Sequence, residues 1–434
     1  MSLKLKIARL GLLVLVIGAF GLFFYGFVRG VLGTKHSLTI ADTHSANTRL
    51  LLEIFDSIKK NYWKEIYDKE LMQKFEFAAR YVAPTSPPLS SSTPNIFANY
   101  LEKAILSKPE AERKNATLAI GELVLESLLP LKRSYISTIR QEKELRDTVN
   151  NIHPDKDLYA SLGVPKDASP ETIEKEYTAK LALLKKEKTP EAEQKITELA
   201  YAKEVLTDTS KKTLYDTQRI EPTLSLLKPL SSSTLYLNLT KFSPTTLDEF
   251  MDTTKKMSAY PHARNLIIDM RGNIGGSFDI VPYLSGFFIG PGQYAFELLK
   301  KDEHIPFKTL TPKLPELSHF KRTIVLIDGE TQSSAEQFAS VLKKYNKATV
   351  VGTASNGHGT VEKNFSLATT LGGDSYSLFL VHSITLREDG LPIEGRGVDP
   401  DIDTGLKNWQ KTAIDLLEDS ALVKLIEQTL KNRP

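Results

Sequence analysis

Ser333, His358 and Glu362 are the residues whose types and spacing suit bond-breaking chemistry. The first stands where the apolar run 324–327 gives way to Asp328-Gly329-Glu330-Thr331-Gln332 and then to Ser333-Ser334-Ala335-Glu336, the opening of a helix expected to reach residue 341. A serine at a strand-to-helix junction presents its hydroxyl at a helix N-terminus, where the dipole favours developing negative charge. A plain helix cap uses the same residue. The other two lie in Ser355-Asn356-Gly357-His358-Gly359-Thr360-Val361-Glu362. Residues i and i+4 of an extended chain point to one face, so the Glu362 carboxylate can orient the His358 imidazole as the third member of a serine triad does. A lone histidine in a glycine-rich loop is also commonly incidental. Lys363, next on the strand, faces the other way.

A third segment runs Leu266-Ile267-Ile268-Asp269-Met270 into Arg271-Gly272-Asn273-Ile274-Gly275-Gly276. Glycines just past a strand let backbone N–H groups approach an anion or oxyanion, although a simple turn fits the same letters. The chain has no cysteine, which excludes disulfides, thiolate zinc sites and a thiol nucleophile together. A net charge of +3 over 434 residues is too small to make nucleic acid the main partner. With 41% hydrophobic and 25% charged residues, wholesale disorder and a multi-span membrane protein are also excluded.

Positioning these segments calls for an α/β core. After Ser231-Ser232-Ser233, short β-rich runs at 235–239, 265–270, 323–327, 348–351 and 377–381 alternate with helical stretches. Upstream, apolar residues recur every three or four positions over 49–80, 96–106 and 116–146, the pattern of amphipathic helices, with a Pro/Ser-rich break at 84–94. Residues 10–28 form nineteen consecutive uncharged positions behind Lys4, Lys6 and Arg9, long enough to span a bilayer with the N-terminus cytoplasmic. A retained anchor is expected, which places the rest of the chain outside the membrane. A cleaved signal peptide is the alternative, with no A-x-A-like site before Lys35.

Residues 153–219 carry 12 basic and 13 acidic side chains among 67, a small helical domain with a narrow core. Asp157-Leu158-Tyr159-Ala160-Ser161-Leu162-Gly163-Val164, the helix start Ser169-Pro170-Glu171-Thr172 and Tyr201-Ala202-Lys203-Glu204-Val205-Leu206-Thr207-Asp208 together resemble a DnaJ-type J domain. That family stimulates an ATP-driven chaperone through a His-Pro-Asp loop between its second and third helices. Here the loop position holds Lys185-Lys186-Glu187-Lys188-Thr189-Pro190, and His153-Pro154-Asp155 precedes the first helix instead. The resemblance therefore implies a scaffold or substrate-contacting module rather than a co-chaperone.

The nucleophile turn, the two glycine segments and the stretch Ile393-Glu394-Gly395-Arg396-Gly397-Val398-Asp399-Pro400-Asp401 combine into a pattern, from about residue 234 to 402, that resembles the C-terminal processing (tail-specific) serine peptidase family. Helical residues around 55–71 also look like that family's N-terminal region. The resemblance implies a ClpP/crotonase-like α/β peptidase core acting on protein or peptide substrates without metal or cofactor. It selects Ser333, three before Glu336, as nucleophile, and backbone N–H groups of Gly275 and Ser334 as the oxyanion hole. The family's general base is a lysine 25 residues after the nucleophile, held by a glutamine four further on; this chain has His358 and Glu362 at those places. The two departures match chemically, because imidazole chemistry benefits from an anionic partner whereas a carboxylate would hold a lysine charged. A Ser-His-Glu endopeptidase of exported or envelope proteins is the expectation, with Ser333 Oγ and the His358 ring about 3 to 4 Å apart. A catalytically inactive peptidase-fold scaffold is the rival.

The family's PDZ domain, which captures a substrate C-terminus, is replaced in position by the J-like segment. The expected division is 1–33 for the cytoplasmic tip and transmembrane anchor, 34–150 for a helical N-terminal region, 151–220 for the J-like domain and 221–434 for the catalytic domain.

Overall fold

The computed structural model describes residues 44–432 apart from 154–155, 188 and 388. The apolar stretch 10–28 lies outside the described residues, and among those no helix is long and apolar enough to cross a membrane. His153 is described, whereas Pro154 and Asp155 are not.

The chain forms two compact units, the first comprising described residues 44–56, 68–123 and 367–374. It is built from α1 (Ala46–Asn61), α2 (Asp68–Val82), α3 (Pro94–Leu106) and α4 (Glu110–Glu126), of which α1 and α4 run on into the second unit. The expected apolar stripes converge here, with the Phe55, Phe75 and Phe97 rings 5.3 to 5.9 Å apart in tilted and edge contacts.

The second unit comprises 57–67, 124–366 and 375–434. Its first element corrects the helical expectation for 116–146, because β1 (Tyr135–Thr138) interrupts that stretch before α5 (Ile139–Val149). A strand four residues long is too short for a periodic signal, and its stability comes from antiparallel pairing with residues 376–379. Thr138 then starts α5 with a capping box to Gln141.

The J-like segment contains α6 (Leu158–Leu162), α7 (Pro170–Leu184), α8 (Pro190–Thr207) and α9 (Thr209–Gln218). Ser169 caps α7 with Pro170 behind it, as its sequence predicts. Leu162, Ile173, Leu199, Ala202, Val205 and Tyr215 lie in its small core. The segment belongs to the same compact unit as the strands that follow it. The Glu204 carboxylate accepts the backbone N–H of Leu226 at 2.8 Å, and Lys256 reaches Asp208 at 3.0 Å.

Six strands follow in the order β11-β8-β7-β4-β3-β2: β2 (Leu224–Ser231), β3 (Thr234–Leu239), β4 (Asn265–Asp269), β7 (Arg322–Ile327), β8 (Thr349–Gly352) and β11 (Ile402–Asp403). All pairings are parallel except β2 with β3. A parallel sheet is covered on both faces, which is why its strands read as continuous apolar runs. Leu266, Ile268, Val325 and Ile327 face a core shared with α10 (Thr246–Met257), α11 (Val281–Ile289) and α12 (Ser334–Lys344). Ile267, Ile324, Leu326 and Val351 face α13 (Trp409–Leu417) and α14 (Ser420–Lys431). A second, antiparallel sheet is formed by β1, β5 (Tyr294–Lys300), β6 (Glu303–Lys308), β9 (Thr360–Ser366) and β10 (Tyr376–Leu386).

Candidate active site

Parallel strands deliver their following loops to one end of the sheet. The glycine loop leaves β4, the serine turn leaves β7 and the histidine loop leaves β8, so three segments far apart in sequence meet at that end. Two hydrogen bonds join the first two: Gln332 N–H donates to Asn273 O at 2.8 Å, and Ser334 Oγ to Gly276 O at 3.2 Å.

Ser333 precedes α12 with φ 54° and ψ −120°, a backbone conformation costly for a side-chain-bearing residue and characteristic of a sharp turn that exposes its side chain. Gly275 lies against it. A Cβ there would come within 2.7 Å of Ser333 Cβ, 2.8 Å of Gln332 O and 2.9 Å of Ser334 N, and φ is +85°. Only glycine fits. The Gly275 N–H donates to Asn273 Oδ1 at 2.9 Å, while Ser334 N belongs to the first turn of α12, where N–H groups lack helical partners.

Glu336 connects the serine turn to the histidine loop. Its side chain is fully buried and accepts four hydrogen bonds: Ser333 N at 2.7 Å and His358 N at 2.9 Å on Oε2, Gly357 N and Ser355 Oγ at 2.6 Å each on Oε1. A buried carboxylate is tolerated when donors saturate it in this way. Gly357-His358-Gly359 also packs on the 393–397 backbone. Gly359 has no room for a Cβ, which would meet Glu394 N at 2.2 Å, and its N–H donates to Glu394 Oε2 at 2.8 Å.

His358 and Glu362 are neighbours across one face of the strand start, as their spacing predicts, with Nε2 to Oε1 at 3.4 Å. The Thr360 hydroxyl donates to the same carboxylate oxygen. The other ring nitrogen, Nδ1, lies 2.9 Å from Arg133 Nη1. An arginine has only donors, so Nδ1 must be the accepting nitrogen and Nε2 carries the proton that faces Glu362. Among the described residues no hydrogen bond runs directly between Ser333 Oγ and His358, which meet instead through Glu336.

Lys363 does not join this group. Its charge acts on Asp279, Lys300 and His382 instead. Arg271, beside the glycine loop, is buried against Asp269 at 2.6 Å and donates to the carbonyls of Leu430, Thr429 and Asn432, fastening the strand end to α14. Burial and the neighbouring Asp269 push the Tyr236 hydroxyl, which donates to that carboxylate at 2.9 Å, well above its ordinary range. Among the described residues no three His, Asp or Glu side chains converge as a metal site.

Sequence reasoning treated Glu336 only as the marker of the serine turn, and it assigned no role to Glu394 or Arg133. The first two stand in segments already singled out. Arg133 lies 225 positions before His358 and offers no local signal.

Residues 233–404 match Peptidase family S41, and residues 157–216 match the DnaJ domain. Over 170 residues the chain is 29% identical to a carboxy-terminal-processing protease of Bartonella bacilliformis, covering 38% of each protein. It is 28% identical over 176 residues to a probable CtpA-like serine protease of Staphylococcus epidermidis, covering 40% of this chain and 34% of that one. The match thus spans little more than a third of these curated relatives. Among solved structures, the photosystem II D1 C-terminal processing protease aligns with a TM-score of 0.47 at 13% identity, over 83% of this chain and 93% of that one.

Proposed function

We propose that this chain, which contains a peptidase family S41 domain preceded by a DnaJ domain, is a serine endopeptidase working through Ser333, His358 and Glu362. The observation that supports the reading is the Glu336 carboxylate, which holds Ser333 N and His358 N on one oxygen and so ties the turn of the expected nucleophile to the loop of the expected base. Glu362, facing Nε2 at 3.4 Å, favours the Nε2–H tautomer, leaving Nδ1 to receive the proton of Ser333 as the hydroxyl attacks a peptide carbonyl. The imidazolium then delivers that proton to the leaving amine, and water repeats the sequence on the acyl-enzyme.

The oxyanion falls at the N-terminus of α12, where the Ser334 N–H and the helix dipole oppose its charge. Gly275 supplies the second donor once its N–H leaves Asn273 Oδ1. Each donor is worth about 3 to 4 kcal/mol in other serine peptidases.

Substrates are exported or envelope proteins, and residues 10–28 anchor the enzyme in the membrane with its catalytic domain outside. The J-like segment at 151–220 gates access in place of a PDZ domain, fixed by the Glu204 and Asp208 contacts. A fluorophosphonate probe tests the chemistry. Labelling of the wild type that disappears in both Ser333→Ala and His358→Ala supports it; absence of labelling from pH 6 to 9 in both the wild type and Arg133→Met leaves the inactive scaffold as the answer.

A further inference from the structure

Arg133 reaches the candidate base from outside every segment that the sequence marks as catalytic. It lies at the end of a loop held from both sides: Trp63 Nε1 and the Tyr62 hydroxyl donate to Leu129 O, and Val381 N donates to Ser134 Oγ at 3.1 Å. Between these ties Lys132 takes a left-handed conformation, φ 62°, and Arg133 follows. Its guanidinium is divided. Nε and Nη2 both donate to Glu394 Oε1 at 3.1 Å, and Nη1 donates to His358 Nδ1 at 2.9 Å. Glu394 in turn holds the histidine loop through Gly359 N. The side chains of Arg133 and Glu394 are 28% and 16% exposed.

The charged groups facing His358 are therefore Arg133 on Nδ1, Glu362 on Nε2, and Glu336 and Glu394 through the backbone on either side. Arg133, having only donors, makes Nδ1 the accepting nitrogen, and Glu362 favours the proton on Nε2, so Nδ1 carries the lone pair a general base needs. A guanidinium that donates to this lone pair competes directly with the Ser333 hydroxyl. The guanidinium is a rigid plane, so uncovering Nδ1 requires it to turn as a whole and to give up part of its fork on Glu394.

We infer that Arg133 is a positioning residue that latches His358: it sets the Nε2–H tautomer and covers Nδ1 until an oxygen acceptor of the incoming peptide takes Nη1. The latch rests on the reading of His358 as the base. It adds that the resting enzyme is held off by its own arginine and that peptide binding exposes the base.

The test uses the full chain and the variant Arg133→Met, which keeps the length of the side chain without donors or charge. Two readouts are taken: the rate of fluorophosphonate labelling, and the ¹⁵N chemical shifts of the His358 ring, assigned by comparison with His358→Gln. The expected result is labelling faster by about ten-fold, the scale of one charge-assisted hydrogen bond removed, and a ring that changes from a single Nε2–H form to a mixture of tautomers. A thermal midpoint close to wild type shows that the fold is kept. Unchanged labelling with an unchanged spectrum overturns the latch, and so does loss of labelling in the folded variant. If His358→Ala labels like wild type, the assignment of the base has failed, and the ring spectrum still decides whether Arg133 governs the imidazole.

Discussion

The backbone N–H of Ser333 is held at 2.7 Å by the Glu336 carboxylate, the same oxygen that receives the N–H of His358. The strained turn and the histidine loop therefore share one anchor, and neither can move without breaking a charge-assisted hydrogen bond. Glu336→Gln replaces an acceptor oxygen by an NH2 group that faces donors. Labelling of Ser333 should fall by at least about 100-fold and stability by about 2 to 4 kcal/mol, as for buried donors left unpaired. Probe kinetics and urea unfolding check this. A variant that labels within a few-fold of wild type would remove Glu336 from the account.

Glu362 and His358 make a different prediction, because their 3.4 Å contact fixes the ring without fixing the backbone. Glu362→Gln should leave the thermal midpoint nearly unchanged and lower kcat by about 100-fold or more, the direction seen when a triad carboxylate becomes an amide. Steady-state kinetics on a peptide substrate separates the two. A fall in stability that matches the fall in activity would mean Glu362 serves the strand and not the base.

Much of this site was legible in the sequence because parallel strands convert linear order into a shared end. The runs at 265–270, 323–327 and 348–351 are readable as short β-rich runs, and their following loops carry Gly275, Ser333 and His358. The i,i+4 spacing placed Glu362 correctly beside His358 for the same reason, a strand period of two. The antiparallel strands were harder. β5 and β6 contain Glu297, Lys300, Glu303, His304 and Lys308, and β9 is half polar, so they lack an apolar signature and are recognised by their partners. Arg133 could not be found at all from spacing. Its place depends on β1 pairing with β10, a contact more than two hundred residues distant.

Gly275 faces Ser333 at a distance that forbids any side chain. Gly275→Ala would need the serine turn to shift away from the glycine loop and would force an alanine into positive φ. The cost is about 1 to 3 kcal/mol, and the loss falls on the candidate oxyanion donors as well as the nucleophile. Probe labelling should become undetectable while the far-ultraviolet circular dichroism is retained. Wild-type labelling in this variant would show that the turn can relax without cost to the site.

His382 provides a pH test away from the chemistry. Its Nε2 accepts from Lys300 Nζ at 2.6 Å, its Nδ1 lies 3.2 Å from the Ser383 hydroxyl, and burial together with Lys363 and Lys300 lowers its pKa to about 3. Burial and the neighbouring lysines depress Lys300 as well. An unfolded chain takes up the histidine proton near pH 6.5, whereas the folded chain resists it until about pH 3. Between those values the unfolded state binds more protons, so stability is present above pH 6.5 and is lost as the pH falls toward 3. The limiting slope is about 1.4 kcal/mol per pH unit for one proton, reduced here because the side chain is partly exposed to screening solvent. His382→Gln keeps an acceptor for Lys300 and has no proton to gain. Urea unfolding at pH 7.5, 6, 5 and 4 should therefore show the variant gaining on wild type as the pH drops; a constant difference across the series would mean that His382 takes up its proton in the folded chain as readily as in the unfolded one.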